Sequence, residues 1–380
     1  MKALKRALLS FFSMLFLVAA FYYSGPTTVA PSYDLSLPIV NTPFDAINDS
    51  LLHFDTNLKA EPCAISAVDW YDSIGETEYV LLYLHGFSAT QHEGDSVRFW
   101  IADRLQANAY YPRIAGHGLE EEDSVRYATF TATAAWEKAK KDFALATTLG
   151  KKVIIMSCST GTPLALKLAA TFPNKVYALV NYSPNIRLND PFAALVNDPW
   201  GLELLKWTSS QDFRDLPPRE DGIVEDCKHR SYCWECVIQM QWLLETTMIE
   251  STFKAVKAPS LTMMWNESDE VRDRVVSVEK AQWMHQNLGS SMKQWTNCAC
   301  KDHVIHNYQT SEAAEYVFEI THAFLKQLTE DGILFTTMAV GHCFSTCRTH
   351  HSLTRATGYS ARSYSLLNVV GPIQNSRSSA

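Results

Sequence analysis

The sequence predicts an α/β fold: a mostly parallel central sheet, helices on both faces, and a helical cap insertion between two of the strands. Three observations carry this reading. Apolar, β-rich runs alternate with amphipathic stretches between residues 60 and 328, the order that builds parallel sheets covered by helices. The run Tyr79 to Leu84 (YVLLYL) is unbroken, as a strand buried on both sides requires. The alternation stops between Ser183 and Lys257 and then resumes.

In chain order, Tyr79 to Leu84 is the first central strand, Ser96 to Leu105 a helix, and Ala109 to Pro112 a short strand. Ala134 to Leu149 places alanines, lysines and apolar residues at helical spacing, and Val153 to Met156 is the next strand. A helix from Pro163 to Thr171 follows, with Pro163 suited to a first helical turn that needs no N–H partner. Val176 to Asn181 and Leu261 to Trp265 are further strands, and Val278 to Leu288 and Ser311 to Gln327 complete the helices. The interruption, about residues 184–257, holds Trp200, Trp207, Trp234, Trp242, the pair Pro217-Pro218 and a helical stretch from Val237 to Met248. An insertion of this kind stands at the carboxyl ends of the strands, where open α/β sheets bind ligands.

The ends of the chain lie outside this pattern. Residues 1–23 join a basic start (Lys2, Lys5, Arg6) to an apolar run from Ala7 to Tyr23, which reads as a signal peptide or an N-terminal membrane anchor. Val18-Ala19-Ala20 offers small residues for cleavage; an uncleaved anchor would leave the positive end in the cytoplasm. Either way the protein is expected to be exported (periplasmic or extracellular) or membrane-anchored. Residues 24–59, punctuated by Pro26, Pro31, Pro38 and Pro43, read as a linker, and residues 329–380 as a disordered tail without Asp, Glu or Lys after Asp331. The formal net charge of −8 argues against nucleic acid as a partner, because phosphate binding needs a basic surface.

The chemistry concentrates at Ser157-Cys158-Ser159-Thr160-Gly161, which follows a buried strand and precedes a helix. A nucleophile elbow strains the backbone of its central residue, so the positions two before and two after must be small. Ser157 and Gly161 meet that demand around Ser159, whereas Cys158 as nucleophile would place Met156 at a small position. A serine hydroxyl needs a base, and the base an orienting acid, in the chain order Ser, Asp or Glu, His on this topology. Acids follow the strand ending at Trp265 (Asn266-Glu267-Ser268-Asp269-Glu270), and histidines follow later in Asp302-His303-Val304-Ile305-His306. Leu84-His85-Gly86-Phe87 supplies a glycine turn from which a backbone N–H, that of Phe87, can form an oxyanion hole with the N–H of Thr160. His85 is expected to support that loop rather than act as a base.

Together, LHGFSAT (Leu84 to Thr90), PRIAGHG (Pro112 to Gly118), SCSTGT (Ser157 to Thr162), WNESDEV (Trp265 to Val271) and DHVIH (Asp302 to His306) resemble the α/β-hydrolase superfamily, in its esterase and monoacylglycerol-lipase-like branch. The resemblance covers residues 79 to about 327. It implies Ser159 as nucleophile, Asp269 as acid and His303 as base, with Phe87 and Thr160 as oxyanion donors; Asp273 is the alternative acid and His306 the alternative base. It implies no cofactor and no metal. Structural zinc sites want two closely spaced cysteine pairs, and beside Cys233-x-x-Cys236 the second pair, Cys298-x-Cys300, has the wrong spacing for a zinc knuckle; disulfide connectivity stays open.

The expected activity is hydrolysis of carboxylic esters through an acyl-enzyme, on a small-molecule ester or lipid-derived substrate, with membrane association through the N-terminal segment as one reading. A proline-type aminopeptidase or an acyltransferase shares the fold and stays open, as does a non-catalytic binding module.

Overall fold

The computed structural model describes residues 2–209, 211, 213–219 and 228–330. Its central sheet is built from β1 (Ala67–Asp69), β2 (Thr77–Leu84), β3 (Asn108–Tyr111), β4 (Gly150–Cys158), β5 (Val176–Tyr182), β8 (Ser260–Trp265) and β9 (Lys293–Cys298). A small antiparallel hairpin, β6 (Phe213–Asp215) with β7 (Ser231–Cys233), stands apart from it. The order across the sheet is β1-β3-β2-β4-β5-β8-β9; β1 runs antiparallel to β3, and the other neighbours are parallel. From β2 the chain moves outward to β3 and then crosses back to β4, so the strand order reverses between β2 and β4. A crevice opens beyond the carboxyl ends of strands at such a point.

The helices are α1 (Lys2–Tyr23), α2 (Ile47–Asn57), α3 (Val97–Leu105), α4 (Ala132–Leu149), α5 (Gly161–Thr171), α6 (Gly201–Thr208), α7 (Trp234–Thr247), α8 (Glu250–Ala255), α9 (Val278–Asn287) and α10 (Ala314–Glu330). Successive strand residues face opposite sides, and two cores result. Val80, Leu82, Leu84, Val153 and Ile155 pack with residues of α4, α5, α7 and α9 on one face. Leu81, Tyr83, Ile154, Met156 and Val180 pack with residues of α3 and α10 on the other. Helix starts follow local chemistry: the Thr131 hydroxyl accepts from the Ala134 N–H at 3.0 Å and the Ser277 hydroxyl from the Lys280 N–H at 3.3 Å.

Two strands carry no apolar run that could reveal them. β1 has three residues at one edge, and β9 (KQWTNC) lies at the other with only Cys298 buried. Between β5 and β8 stand α6, the hairpin, α7 and α8. Helix α7 reaches the end of β4, where the Thr160 hydroxyl faces Met240 Sδ at 3.7 Å.

Helix α1 is exposed along its length, and its segment Leu4–Tyr23 has a mean hydropathy of 1.8; among the described residues it is the one helix long and apolar enough to cross a membrane. Its end rests on the insertion, with Phe21 stacked on Trp200 at 4.9 Å and Trp200 Nε1 donating to the Phe21 carbonyl at 3.0 Å.

Residues 24–59, read from composition as a linker, are instead strapped to the domain. The Tyr33 hydroxyl bonds Thr246 at 2.7 Å, Trp242 Nε1 donates to the Thr28 hydroxyl at 2.7 Å, and Trp136 Nε1 donates to the Asp34 carbonyl at 2.6 Å. Helix α2 then docks through Asn48, whose side chain bonds both the N–H and the carbonyl of Val68 in β1. The prolines were a poor guide because the strap is held by hydrogen bonds that composition does not reveal. At the other end α10 runs to Glu330, two residues into the expected tail; residues 331–380 lie outside the described residues. Cys298 and Cys300 form a disulfide, Cys63 is also disulfide-bonded, and Cys158, Cys233 and Cys236 are free.

One ion pair anchors α2 beneath the site. Arg113, just after β3, donates to Asp55 Oδ1 at 2.7 and 3.1 Å, and both side chains are buried. Asp55 Oδ2 accepts from the Ser66 N–H at 2.8 Å, and Arg113 Nη1 donates to the His117 carbonyl at 2.9 Å. Breaking a buried pair from one side leaves an uncompensated charge and costs about 3–5 kcal/mol. Arg113→Met is therefore expected to lower unfolding free energy in urea by about that amount, and a loss below 1 kcal/mol would show the pair to be dispensable.

Candidate active site

Ser159 sits where β4 gives way to α5, with φ +48°, in the left-handed region that L residues other than glycine rarely enter. Its N–H donates to the Tyr182 carbonyl at 3.0 Å, and its carbonyl accepts from Thr162 at 3.0 Å and Asn185 at 3.1 Å. The strained residue is thus held on three sides. A Cβ at Gly161 would stand 2.1 Å from the Leu84 carbonyl oxygen, so a glycine is needed where α5 meets the end of β2. Ser157 is buried, and its hydroxyl lies 3.1 Å from that of Thr162 and 3.2 Å from Asn181 Oδ1, which satisfies the polar group that a serine brings to this position.

His303 reaches Ser159 from the loop after β9. Its Nε2 lies 2.9 Å from Ser159 Oγ, and its Nδ1 lies 2.7 Å from Asp273 Oδ2. The partner acid is therefore Asp273 and not Asp269, the residue favoured from sequence. Asp269 is exposed at the tip of a short excursion, whereas Asp273 is buried. The reason is the shape of the loop after β8. Glu267 and Ser268 donate backbone N–H groups to the Val271 carbonyl, and the chain folds back until the Asp273 N–H meets the Trp265 carbonyl at 3.0 Å. The residues between Asp269 and Asp273 are spent on this excursion, and Asp273 returns to the strand end. Its Oδ1 accepts from the N–H groups of Val275 and Val276 at 2.8 and 3.2 Å, leaving Oδ2 for the imidazole. The acid followed by paired valines was the visible signal for this residue; the run Glu267 to Glu270 is a solvated turn.

His306, the alternative histidine, lies elsewhere. It is buried, stacked on Tyr182 at 4.5 Å, and its Nε2 lies 2.8 Å from the Tyr83 hydroxyl. Burial, helped by nearby His303, pulls its pKa down to about 3, so it stays neutral. His85 is also neutral, pulled to about 4 chiefly by burial. With Nδ1 2.8 Å from the Gly86 carbonyl and Nε2 accepting from the Ile114 N–H at 3.0 Å, it ties the loop after β2 to the loop after β3.

Phe87 and Thr160 flank the serine from two loops. A Cβ on Gly86 would stand 3.1 Å from Ser159 Cβ, which shows how closely the loop after β2 approaches the elbow. Thr160 caps α5, so its N–H gains from the dipole of that helix. The Phe87 ring sits in an aromatic cluster with His117, Tyr127, Phe130 and Tyr232, at centroid distances of 5.1 to 5.5 Å. Glu93 and Arg219 were not singled out from sequence. Glu93 Oε2 accepts from the Gly86 N–H at 2.7 Å, and Arg219 of the insertion donates to Asp302 Oδ2 at 2.7 Å, beside His303. Each is a charged residue in a polar stretch, and only the fold brings it to the site.

No family model and no curated protein matches the sequence. Solved structures do match in shape. One of the metagenome-derived lipolytic enzymes LipS and LipT is 17% identical at a TM-score of 0.57, over 70% of this chain and 99% of that one. A monoacylglycerol lipase from Paleococcus ferrophilus is 14% identical at 0.50, over 69% and 98%. A soluble variant of monoglyceride lipase from Saccharomyces cerevisiae, solved with a substrate analogue, is 14% identical at 0.51, over 70% and 91%. The fold expected from sequence is the fold observed: it is that of the α/β-hydrolases, with a mostly parallel sheet of seven strands.

Burial lowers the pKa of His303, but the charge of Asp273 and its hydrogen bond outweigh this and raise it above the ordinary 6.5. NMR titration of the imidazole should therefore place its midpoint above 6.5. Asp273→Asn should move it down, and Asp269→Asn should leave it in place. A midpoint that follows Asp269 instead would contradict the geometry.

Proposed function

We propose that this α/β-hydrolase chain is a serine hydrolase of carboxylic esters working through an acyl-enzyme. The observation that carries the proposal is the relay Asp273–His303–Ser159, with contacts of 2.7 and 2.9 Å, on a turn that holds Ser159 at positive φ. His303 Nε2 takes the Ser159 proton as Oγ attacks the ester carbonyl, and Asp273 stabilises the imidazolium that forms. The carbonyl oxygen, now negative, accepts from the Phe87 and Thr160 N–H groups. His303 then protonates the departing alcohol, and water, deprotonated by the same imidazole, releases the acid and frees Ser159.

The buried apolar cluster around Phe87, with Tyr127, Phe130 and Tyr232, and Met240 beside Thr160 give the serine an apolar surrounding that supports an apolar acyl group, so medium-chain esters or monoacylglycerols are the proposed substrates. The lipolytic nature of the proteins that share this shape agrees with that choice. Helix α1 supports placement of the catalytic domain beyond a membrane, as a secreted or anchored protein.

The decisive experiment measures p-nitrophenyl ester turnover and labelling by a fluorophosphonate probe in wild type and Ser159→Ala. Turnover is expected to fall by about 10³-fold or more in Ser159→Ala, since nucleophile and base act as a unit, and labelling should vanish. Labelling that persists in Ser159→Ala would remove Ser159 as the nucleophile. An amide panel that outpaces the esters would make the enzyme a peptidase instead.

A further inference from the structure

We propose that Glu93 is a positioning residue of this hydrolytic site: it fixes the oxyanion loop through the Gly86 N–H and adds a negative charge near the imidazole of His303. The inference rests on the ester-hydrolase reading and assigns a fourth side chain to it. Glu93 lies in the 3₁₀ turn Gln91–Gly94 and is only 8% exposed. A carboxylate is costly to bury, so one retained next to a nucleophile calls for an account of what it holds.

Its contacts give that account. Oε2 accepts from the Gly86 N–H at 2.7 Å and from the Tyr83 hydroxyl at 3.3 Å. The Gly86 bond has the short length of a charge-assisted contact, and the Tyr83 contact is the weaker of the two. A Cβ on Gly86 would meet Glu93 Oε1 at 2.7 Å and Ser159 Cβ at 3.1 Å, so the carboxylate and the nucleophile flank one glycine with no room for a side chain there. Gly86 immediately precedes Phe87, whose N–H is the proposed oxyanion donor, so pinning the Gly86 N–H orients the peptide that follows. The turn is also tied to the histidine loop: Asn307 Nδ2 donates to the carbonyls of His92 and Glu93 at 3.0 and 3.3 Å. One acid thus sits at the junction of the loops after β2, β4 and β9.

The charge has a second effect. Glu93, after Asp273, favours the protonated form of His303, while Lys228 of the insertion opposes it. The other titratable groups on this side are Tyr83 from β2, Cys158 from β4, His306 from the histidine loop, and Asp95 and Arg98 around the start of α3. His306 is neutral and burial holds the Tyr83 and Cys158 protons in place, so among the described residues the charges on this side are Glu93, Lys228 and the Asp95–Arg98 pair, with Asp302 and Arg219 paired beside His303.

Two variants separate the roles. Glu93→Gln keeps an acceptor for Gly86 but removes the charge; Glu93→Ala removes both. Circular dichroism checks folding, and NMR titration of His303 reads the charge without reference to activity. In Glu93→Gln the His303 midpoint should fall, because a negative charge that favours the imidazolium is lost, and the acid limb of kcat/KM should move with it. In Glu93→Ala, kcat should fall by about 10²-fold, as expected when an oxyanion donor is lost, with KM little changed, and Glu93→Gln should recover most of that loss. An unmoved midpoint in Glu93→Gln would overturn the electrostatic role, and wild-type kcat in a folded Glu93→Ala would overturn the positioning role. Absence of Ser159 labelling in wild type would instead refute the hydrolase reading, and the titration would still test Glu93.

Discussion

The site depends on the left-handed conformation of Ser159 at the end of β4. A residue at φ +48° lifts its side chain off the sheet and lets α5 begin at once, aiming the helix N-terminus at the same point as the hydroxyl. That geometry dictates its neighbours. Gly161 must lack a side chain because α5 presses on Leu84, and Gly86 must lack one because Ser159 and Glu93 crowd it. The strain is stored in a segment that surrounding contacts fix completely. The parallel register Leu84 with Ser157 brings the loop after β2 level with the elbow, so Gly86 and Ser159 meet without any long excursion.

How far the sequence revealed this depends on whether each constraint is local. The elbow was legible because a strand, a small residue, Ser159 and a glycine follow one another within a few positions. The central strands were legible because burial on both faces demands unbroken apolar runs. The edge strands β1 and β9 were not, since one face and one edge of each meet solvent. The acid was misplaced because its identity depends on the path of the loop after β8: a hairpin-like fold between Asn266 and Arg272 brings Asp273 back to the strand end, and no spacing rule anticipates it. Glu93 was invisible for a related reason. In Gln91-His92-Glu93-Gly94-Asp95 it reads as one charge of a solvated turn, and burial shows only after β2, β4 and the histidine loop converge.

The buried titratable groups divide by what faces them. His85 and His306 are desolvated without a carboxylate partner, so both are held neutral and serve as hydrogen-bonding struts. His303 is desolvated too, but Asp273 compensates, and of the three it is the one whose pKa is raised and not lowered. The same distinction separates Asp55–Arg113 from Asp273–His303. In the first pair both Asp55 oxygens and all three guanidinium nitrogens of Arg113 are bonded within the fold, while the second leaves Nε2 free to meet Ser159.

The strap from Thr28 to Asn57 also bears on how the protein can be shortened. A truncation at residue 60, the boundary that composition recommends, would discard Asp55 and leave the Arg113 guanidinium enclosed without its counter-charge, directly under the loop that follows β3. It would also uncover the indoles of Trp136 and Trp242, whose N–H groups are bonded to Asp34 and Thr28. A cut between the end of α1 and Thr28 would remove the apolar helix and retain the strap.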